Sequence, residues 1–242
     1  MLRRLGRGAL DVLLPPQCLA CEAGVDEPGS LCADCFSQFT FITRPYCHVC
    51  GLPFETAVID DEVVCGACMK DRPAFERARS VFAYRDTART LVLKFKHADR
   101  TDAAVHLAKW LARAGAELCH DADCIVPVPL HWRRLWMRTY NQSALLAHAL
   151  GGLTNKPVVP LALVRTRATP TQGGLDRAQR RRNVAGAFAV KDTSEIAGRS
   201  VLLIDDVMTT TATADSCARA LLRAGARAVD VLVLARVPAP GT

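Results

Sequence analysis

No apolar run in these 242 residues is long enough to cross a bilayer. Stretches such as Val201-Leu202-Leu203-Ile204 stop after a few residues. No small-x-small cleavage site follows the basic N-terminus either. Asp11 interrupts the apolar stretch from Ala9 to Leu14, and Pro15-Pro16 ends it, so the segment does not read as a secretory leader. Acids are the scarcer charge, 24 Asp+Glu against 31 Lys+Arg, and the net charge of +7 favours anionic partners without naming one. Cysteine is nearly absent beyond residue 68, where only Cys119, Cys124 and Cys217 remain. Apolar residues make up 50% of the chain, enough for a buried core and too many for wholesale disorder. Leu2, Leu5, Ala9, Val12 and Leu13 recur at helical spacing, which predicts a short amphipathic helix docking on the rest. The expected compartment is the cytoplasm, with reduced thiols.

The other eight cysteines form four Cys-x-x-Cys pairs: Cys18/Cys21, Cys32/Cys35, Cys47/Cys50 and Cys65/Cys68. Ten, eleven and fourteen residues separate successive pairs. Two thiolates at that spacing share one tight turn, and two such turns complete a tetrahedral shell around zinc. A redox motif would need one pair in a thioredoxin-like βαβ setting, which the sequence does not show. Two structural zinc ions are therefore expected. Sequential pairing is the simplest arrangement, but an interleaved one has the same sequence. His48 lies inside the third knuckle and is read as a bystander beside eight thiols. About seventy residues with so little periodic apolar material depend on metal for much of their stability.

From Ala74 the pattern changes to alternating strands and helices. Strands are predicted at Arg79 to Tyr84, Cys124 to Val128, Val158 to Val164, Ser200 to Ile204 and Val229 to Leu234. Helices are predicted at Ala88 to Phe95; at Ala103 to Leu118 with Val105, Ala108 and Leu111 on one face; at Gln142 to Leu150; and at Ala212 to Arg223. Asn141 is the expected cap of the third helix and Gly151-Gly152 its end. The resulting division is 1–73 for the N-terminal helix and double zinc ribbon, and 74–242 for an α/β domain with a mostly parallel sheet. Ligands of such sheets bind beyond the carboxyl ends of the strands. Residues 129–141, 165–183 and 205–213 should therefore converge.

The last of these segments carries the clearest chemistry. Asp205-Asp206 follows an apolar strand and leads into Val207-Met208-Thr209-Thr210-Thr211-Ala212-Thr213. Adjacent carboxylates can hold ribose hydroxyls or magnesium. A hydroxyl-rich turn opening a helix offers amides and a dipole to phosphate. A simple helix cap would need only one such residue. The pattern describes a sugar with a phosphate at one end.

Val201 to Thr213 resembles the phosphoribosyl pyrophosphate signature of type I phosphoribosyltransferases. Over essentially the whole chain the sequence resembles the ComF family of competence proteins, which join a double zinc ribbon to such a domain. The matching stretches are Pro15-Pro16-Gln17-Cys18, Lys94-Phe95-Lys96, Val126-Pro127-Val128-Pro129-Leu130, Arg138-Thr139-Tyr140-Asn141-Gln142, Thr169-Pro170-Thr171-Gln172 and Arg181 to Val184. The resemblance implies a type I phosphoribosyltransferase-like sheet flanked by helices. It implies that Asp205 and Asp206 bind ribose hydroxyls and that Thr209, Thr210, Thr211 and Thr213 line the 5′-phosphate site. The turn after Pro129 would face pyrophosphate, and residues 165–183 would form a hood. Magnesium would accompany phosphoribosyl pyrophosphate, with Arg133, Arg134 and Arg138, and more weakly Lys94, neutralising charge on the leaving group. His131, beside Trp132, reads as packed rather than catalytic. Two positions depart from the family, which usually has Gly where Thr211 and Thr139 stand. A β-branched residue resists the positive φ that Gly permits.

Nine arginines fall in 133–138 and 165–182, with Asp176 the one opposing acid, and the first cluster is interleaved with Trp132, Trp136 and Tyr140. Charge mixed with aromatic faces suits single-stranded DNA, and the resemblance points the same way, toward DNA uptake in natural transformation. Three functions follow. The chain is a competence factor that binds single-stranded DNA and phosphoribosyl pyrophosphate, an active phosphoribosyltransferase with an unread acceptor, or a zinc-domain scaffold for other DNA-uptake proteins.

Overall fold

The computed structural model describes residues 15–55, 62–96, 101–130, 140–167 and 177–238, with side chains from 179 onward in the last segment. The expected N-terminal helix and Arg133, Arg134 and Arg138 lie outside these residues, as do Thr139, His131, Trp132 and Trp136. The second and fourth Cys-x-x-Cys turns each carry a short helix, α1 (Ala33–Ser37) and α2 (Gly66–Lys70). The chain then runs β1 (Ala78–Ala83), α3 (Asp86–Lys96), α4 (Ala103–Ala114), α5 (Ala116–Asp121), β2 (Cys124–Pro127) and α6 (Gln142–Thr154). It continues through β3 (Leu163–Arg165), α7 (Arg177–Val184), β4 (Phe188–Val190), β5 (Ser200–Met208), α8 (Ala212–Arg223) and β6 (Ala228–Arg236). Among the described residues no helix is long and apolar enough to cross a membrane.

Four parallel strands in the order β1-β6-β5-β2 form the main sheet, and β3 pairs with β4 as a separate antiparallel hairpin. This is the mostly parallel, helix-flanked sheet expected from the sequence. Both faces are covered, so β5 is apolar at every position from Val201 to Ile204, as a doubly buried strand must be. Successive side chains alternate between two cores. Val201 and Leu203 pack with α8 and the β3–β4 hairpin, whereas Leu202 and Ile204 pack with α3, α4, α5 and α6.

The cysteine-rich segment grips the sheet at its β1 edge. Phe41 bridges Phe82 in antiparallel fashion, with Ile42 N–H donating to Val81 O and Ala83 N–H to Thr40 O. At the other end of β1, Ala78 N–H donates to Val49 O. The segment of the first two cysteine pairs packs on the α3/α4 face, where Phe39 meets Phe82 edge-on at 5.2 Å and Phe41 meets Trp110 at 6.1 Å. The segment of the last two pairs packs on the opposite face. Gly51 allows that approach. It has φ +65°, and a Cβ there would stand 2.5 Å from Ala78 O, so no other residue fits without moving the strand.

Several elements differ from their expected limits for local reasons. The helix expected from Ala103 to Leu118 is broken at Gly115, which lies so close to Leu232 that a Cβ would collide with it. Its buried face is Ala104, Leu107, Ala108 and Leu111, and Val105 is exposed. Gly151-Gly152 does not end α6. Gly151 gives room for Val158, and the helix stops at Asn155, in the left-handed region at φ +54°. The strand expected from Val158 to Val164 is reduced to one bridge, Val158 to Ile125, before the chain turns into β3. Asn141 does cap α6, accepting from Ser143 N–H at 3.1 Å, a contact that contributes about 1 kcal/mol.

Candidate functional site

β2 ends opposite Ile204, whereas β5 runs four residues further, to Met208. The acid pair therefore stands beyond the carboxyl end of its neighbour. α6, the next described helix after β2, packs on one face of the sheet, and α8, which follows β5, packs on the other. The two helices diverge and open a crevice between adjacent strands, the switch point at which open α/β sheets hold ligands. That crevice encloses about 320 Å³, within the range of small-molecule sites. Pro129, Leu130, Ser143, Asp205, Asp206, Thr209, Thr210 and Thr213 line it, so parts of two of the three segments expected to converge do so. Arg165 and Arg180 bring in the third.

Asp205 lies deep in the crevice. It accepts from Ser143 Oγ at 3.0 Å and from the Asp206 amide at 2.9 Å. Burial, with the charge of Asp206 beside it, pushes its carboxyl up to about 7. Asp206 instead faces Lys96 Nζ at 3.3 Å. Lys94, the lysine singled out from the sequence, is turned away from the crevice and pairs with Glu22 at 2.7 Å. The reason is helical geometry: residues two apart on α3 point to different sides. Tyr140 and Gln142 fix the lysine-bearing end of that helix, donating to the carbonyls of Phe95 at 2.6 Å and Lys96 at 3.0 Å. Tyr140, grouped above with base-stacking aromatics, is thus half-buried and holds α3.

The threonine turn needs no glycine. Thr211 has φ −73° and ψ −1° and is the first residue of the α8 turn. A β-branched side chain is unstrained there, so the departure from the family carries no conformational penalty at this position. Its hydroxyl makes no capping hydrogen bond. Thr210 Oγ1 and Arg180 Nε are buried without hydrogen-bond partners, an arrangement that an anion would relieve. Arg180 sits on α7, an element the sequence did not reveal because its residues are almost all polar. Its neighbour Arg181 pairs with Asp71 of the second ribbon. Arg165, on β3, lies over the Phe188 ring at 5.4 Å.

The eight early cysteines gather sequentially, Cys18/Cys21/Cys32/Cys35 in one group and Cys47/Cys50/Cys65/Cys68 in the other, with all sulfurs of each group within 4.8 Å of one another. Cys21 and Cys32 are 3.6 Å apart, and Cys50 and Cys65 are 3.7 Å apart. A tetrahedral zinc with bonds near 2.3 Å requires sulfur–sulfur edges of about 3.8 Å. Backbone amides point at the sulfurs, Cys32 N–H at Cys18 Sγ (3.3 Å) and Cys65 N–H at Cys47 Sγ (3.3 Å). Burial raises the Cys18 thiol, but the amides of Cys21, Cys32 and Ala20 outweigh it and bring it to about 6. Both groups fit zinc in number, donor type and spacing. His48 belongs to neither group.

Residues 9–69 match the family model of the double zinc ribbon domain. The chain is 34% identical over 214 residues to the DNA utilization protein YhgH of Escherichia coli (strain K12), covering 85% of this chain and 90% of that protein. It is 30% identical over 227 residues to competence protein F of Haemophilus influenzae, covering 91% and 96%. This chain belongs to the ComF family. Competence protein ComFC of Bacillus subtilis is a more distant relative, at 28% over 197 residues, with 81% of this chain and 79% of that protein covered. Among solved structures, the allosteric regulatory enzyme of purine biosynthesis superposes with a TM-score of 0.39 at 20% identity, over 59% of this chain and 30% of that chain. At that score the likeness carries no argument. In this ComF-family chain the match to relatives spans both the ribbons and the crevice.

Proposed function

We propose that this ComF-family protein binds phosphoribosyl pyrophosphate with magnesium in the crevice, binds single-stranded DNA along its arginine-rich rim, and serves the handling of DNA taken up by the cell. One observation carries the reading. The acid pair and the threonine turn share a single crevice with three cations from three separate elements, Lys96, Arg165 and Arg180. Asp205 and Asp206 are the ribose and magnesium side of that site, and Thr209, Thr210 and Thr213 with the start of α8 are the 5′-phosphate side. The cations oppose the diphosphate, with Arg133 and Arg138 proposed to add to them. Bound magnesium would supply charge neutralisation at the diphosphate. Zinc at the two thiol groups is structural in this reading, since four thiolates leave no open position.

The DNA part of the proposal is supported by the names of the relatives and by the arginines of 165–182. Turnover is a second reading, favoured by the same crevice. A transferase would release pyrophosphate only when a defined acceptor is present. Calorimetry with phosphoribosyl pyrophosphate and magnesium tests the first reading on wild type and Asp206→Asn. Wild type should bind and the variant should lose at least tenfold in affinity. Equal binding, or none at millimolar ligand, would refute the assignment of the site.

A further inference from the structure

The threonine turn has a second face. Behind it a cavity of about 310 Å³ is lined on one side by Thr209, Thr210 and Thr211 and on the other by Cys50, Cys65 and Cys68 of the second thiol group. Arg236, the last residue of β6, closes it and is 6% exposed. Its Nη1 donates to Met208 O at 3.1 Å, to Thr209 O, and to Val237 O at 3.4 Å. Its Nε is buried without a hydrogen-bond partner, and it shares the lining of this cavity with Cys50. Four thiolates around a divalent ion carry two net negative charges, which suits a guanidinium buried beside them.

Two further ties join the second ribbon to the walls of the crevice. Ala74 N–H donates to Asp215 Oδ1 at 2.6 Å, holding the first turn of α8. Asp71 pairs with Arg181 on α7, the helix that carries Arg180 into the crevice. The first thiol group sits on the opposite face of the sheet, where the exposed Glu22–Lys94 pair ties its segment to α3.

We propose that Arg236 is a positioning residue that couples the second thiol group to the threonine turn, so that metal held by Cys47, Cys50, Cys65 and Cys68 sets the geometry of Met208 to Thr211. Metal there would tie the Cys47–Cys50 turn to α2 and fix the cavity wall that faces Arg236. Arg236 in turn fixes the two carbonyls at the start of the turn. Control of sugar-phosphate affinity by this metal rests on the function proposed above; the mechanical coupling does not.

The test uses the full chain with zinc, and compares Arg236→Met, Arg236→Lys, Cys50→Ser and Cys35→Ser. Deuterium exchange is read on peptides spanning 207–213, zinc by elemental analysis, and ribose 5-phosphate affinity by calorimetry with magnesium. Arg236→Met should keep both zinc ions yet raise exchange in 207–213 about tenfold and weaken ribose 5-phosphate by about tenfold, a coupling of ordinary size. Arg236→Lys should restore most of the protection, because an ammonium can still donate to the Met208 and Thr209 carbonyls. Cys50→Ser should reproduce the loosening, and Cys35→Ser should not. Unchanged exchange in Arg236→Met, or equal effects of Cys35→Ser and Cys50→Ser, would overturn the proposal. If Arg236→Met fails to fold, the contrast between the two serine variants decides. Wild type that does not bind ribose 5-phosphate removes the sugar-phosphate reading alone, because exchange still reports the coupling.

Discussion

Replacing Asp205 by Asn should stabilise the protein, and by an amount that depends on pH. Asp205 is partly buried at the base of the crevice and lies beside a second carboxylate, so its carboxyl is raised from 3.8 to about 7. Between those values the native state holds a proton that the unfolded chain has released. Stability from this group is therefore full below about pH 4, falls as pH rises, and is gone above about pH 7. At 1.36 kcal/mol per unit the whole shift is worth about 4 kcal/mol, and water in the crevice reduces this to about 2–3 kcal/mol. Asn keeps the contacts: its carbonyl can accept from Ser143 Oγ and from the Asp206 amide, as Asp205 does now. Urea denaturation of both proteins at pH 5 and pH 8, without magnesium, gives the difference. Asp205→Asn should be more stable by about 2–3 kcal/mol at pH 8, raising the melting temperature by about 5–10 °C, with the gain falling to about 1.5 kcal/mol at pH 5. Contributions from the thiol groups are common to both proteins and cancel. A gain equal at the two pH values, or a loss at pH 8, would show that Asp205 is ionised and well solvated in the native state.

Elemental analysis should find two zinc ions per chain, falling to one in Cys47→Ser with the Cys18/Cys21/Cys32/Cys35 ion retained. Lys96→Met should weaken ribose 5-phosphate about tenfold in calorimetry, whereas Lys94→Met should leave it unchanged, because Lys94 points to Glu22. Single-stranded DNA affinity should fall with salt at a log–log slope near −3, the value for roughly four phosphate contacts at about 0.7 each. A salt-independent affinity would assign the arginine charge to the small ligand instead.

The acid pair and the threonine turn were readable because all their residues are contiguous, and chemistry packed into one short segment survives without the fold. The cysteine pairs were readable for the same reason, but their grouping was not, since either pairing has identical spacing. Lys96 was missed in favour of Lys94 because choosing between residues two apart requires the phase of α3, which Tyr140 and Gln142 set from a distant segment. The α7 helix was missed because it is almost wholly polar, so it has no apolar stripe to read, and it is held by Asp71 and by its C-terminal contacts with Arg167. The break at Gly115 depends on Leu232, more than a hundred residues away.

The antiparallel bridge between Phe41 and Phe82 has a consequence for how the polypeptide can be divided. β1 lies at the border of the sheet, and the hydrogen bonds to Thr40, Ile42 and Val49 are what cover its open side. A fragment beginning at residue 74 would present that border bare, with Phe82 beside it, and a bare apolar border invites the same border of another copy. Such a fragment should self-associate through β1, so its solution size would report strand addition rather than a native assembly. Swapping ribbons between relatives would succeed only where residues 40–49 and the strand they cover are exchanged together.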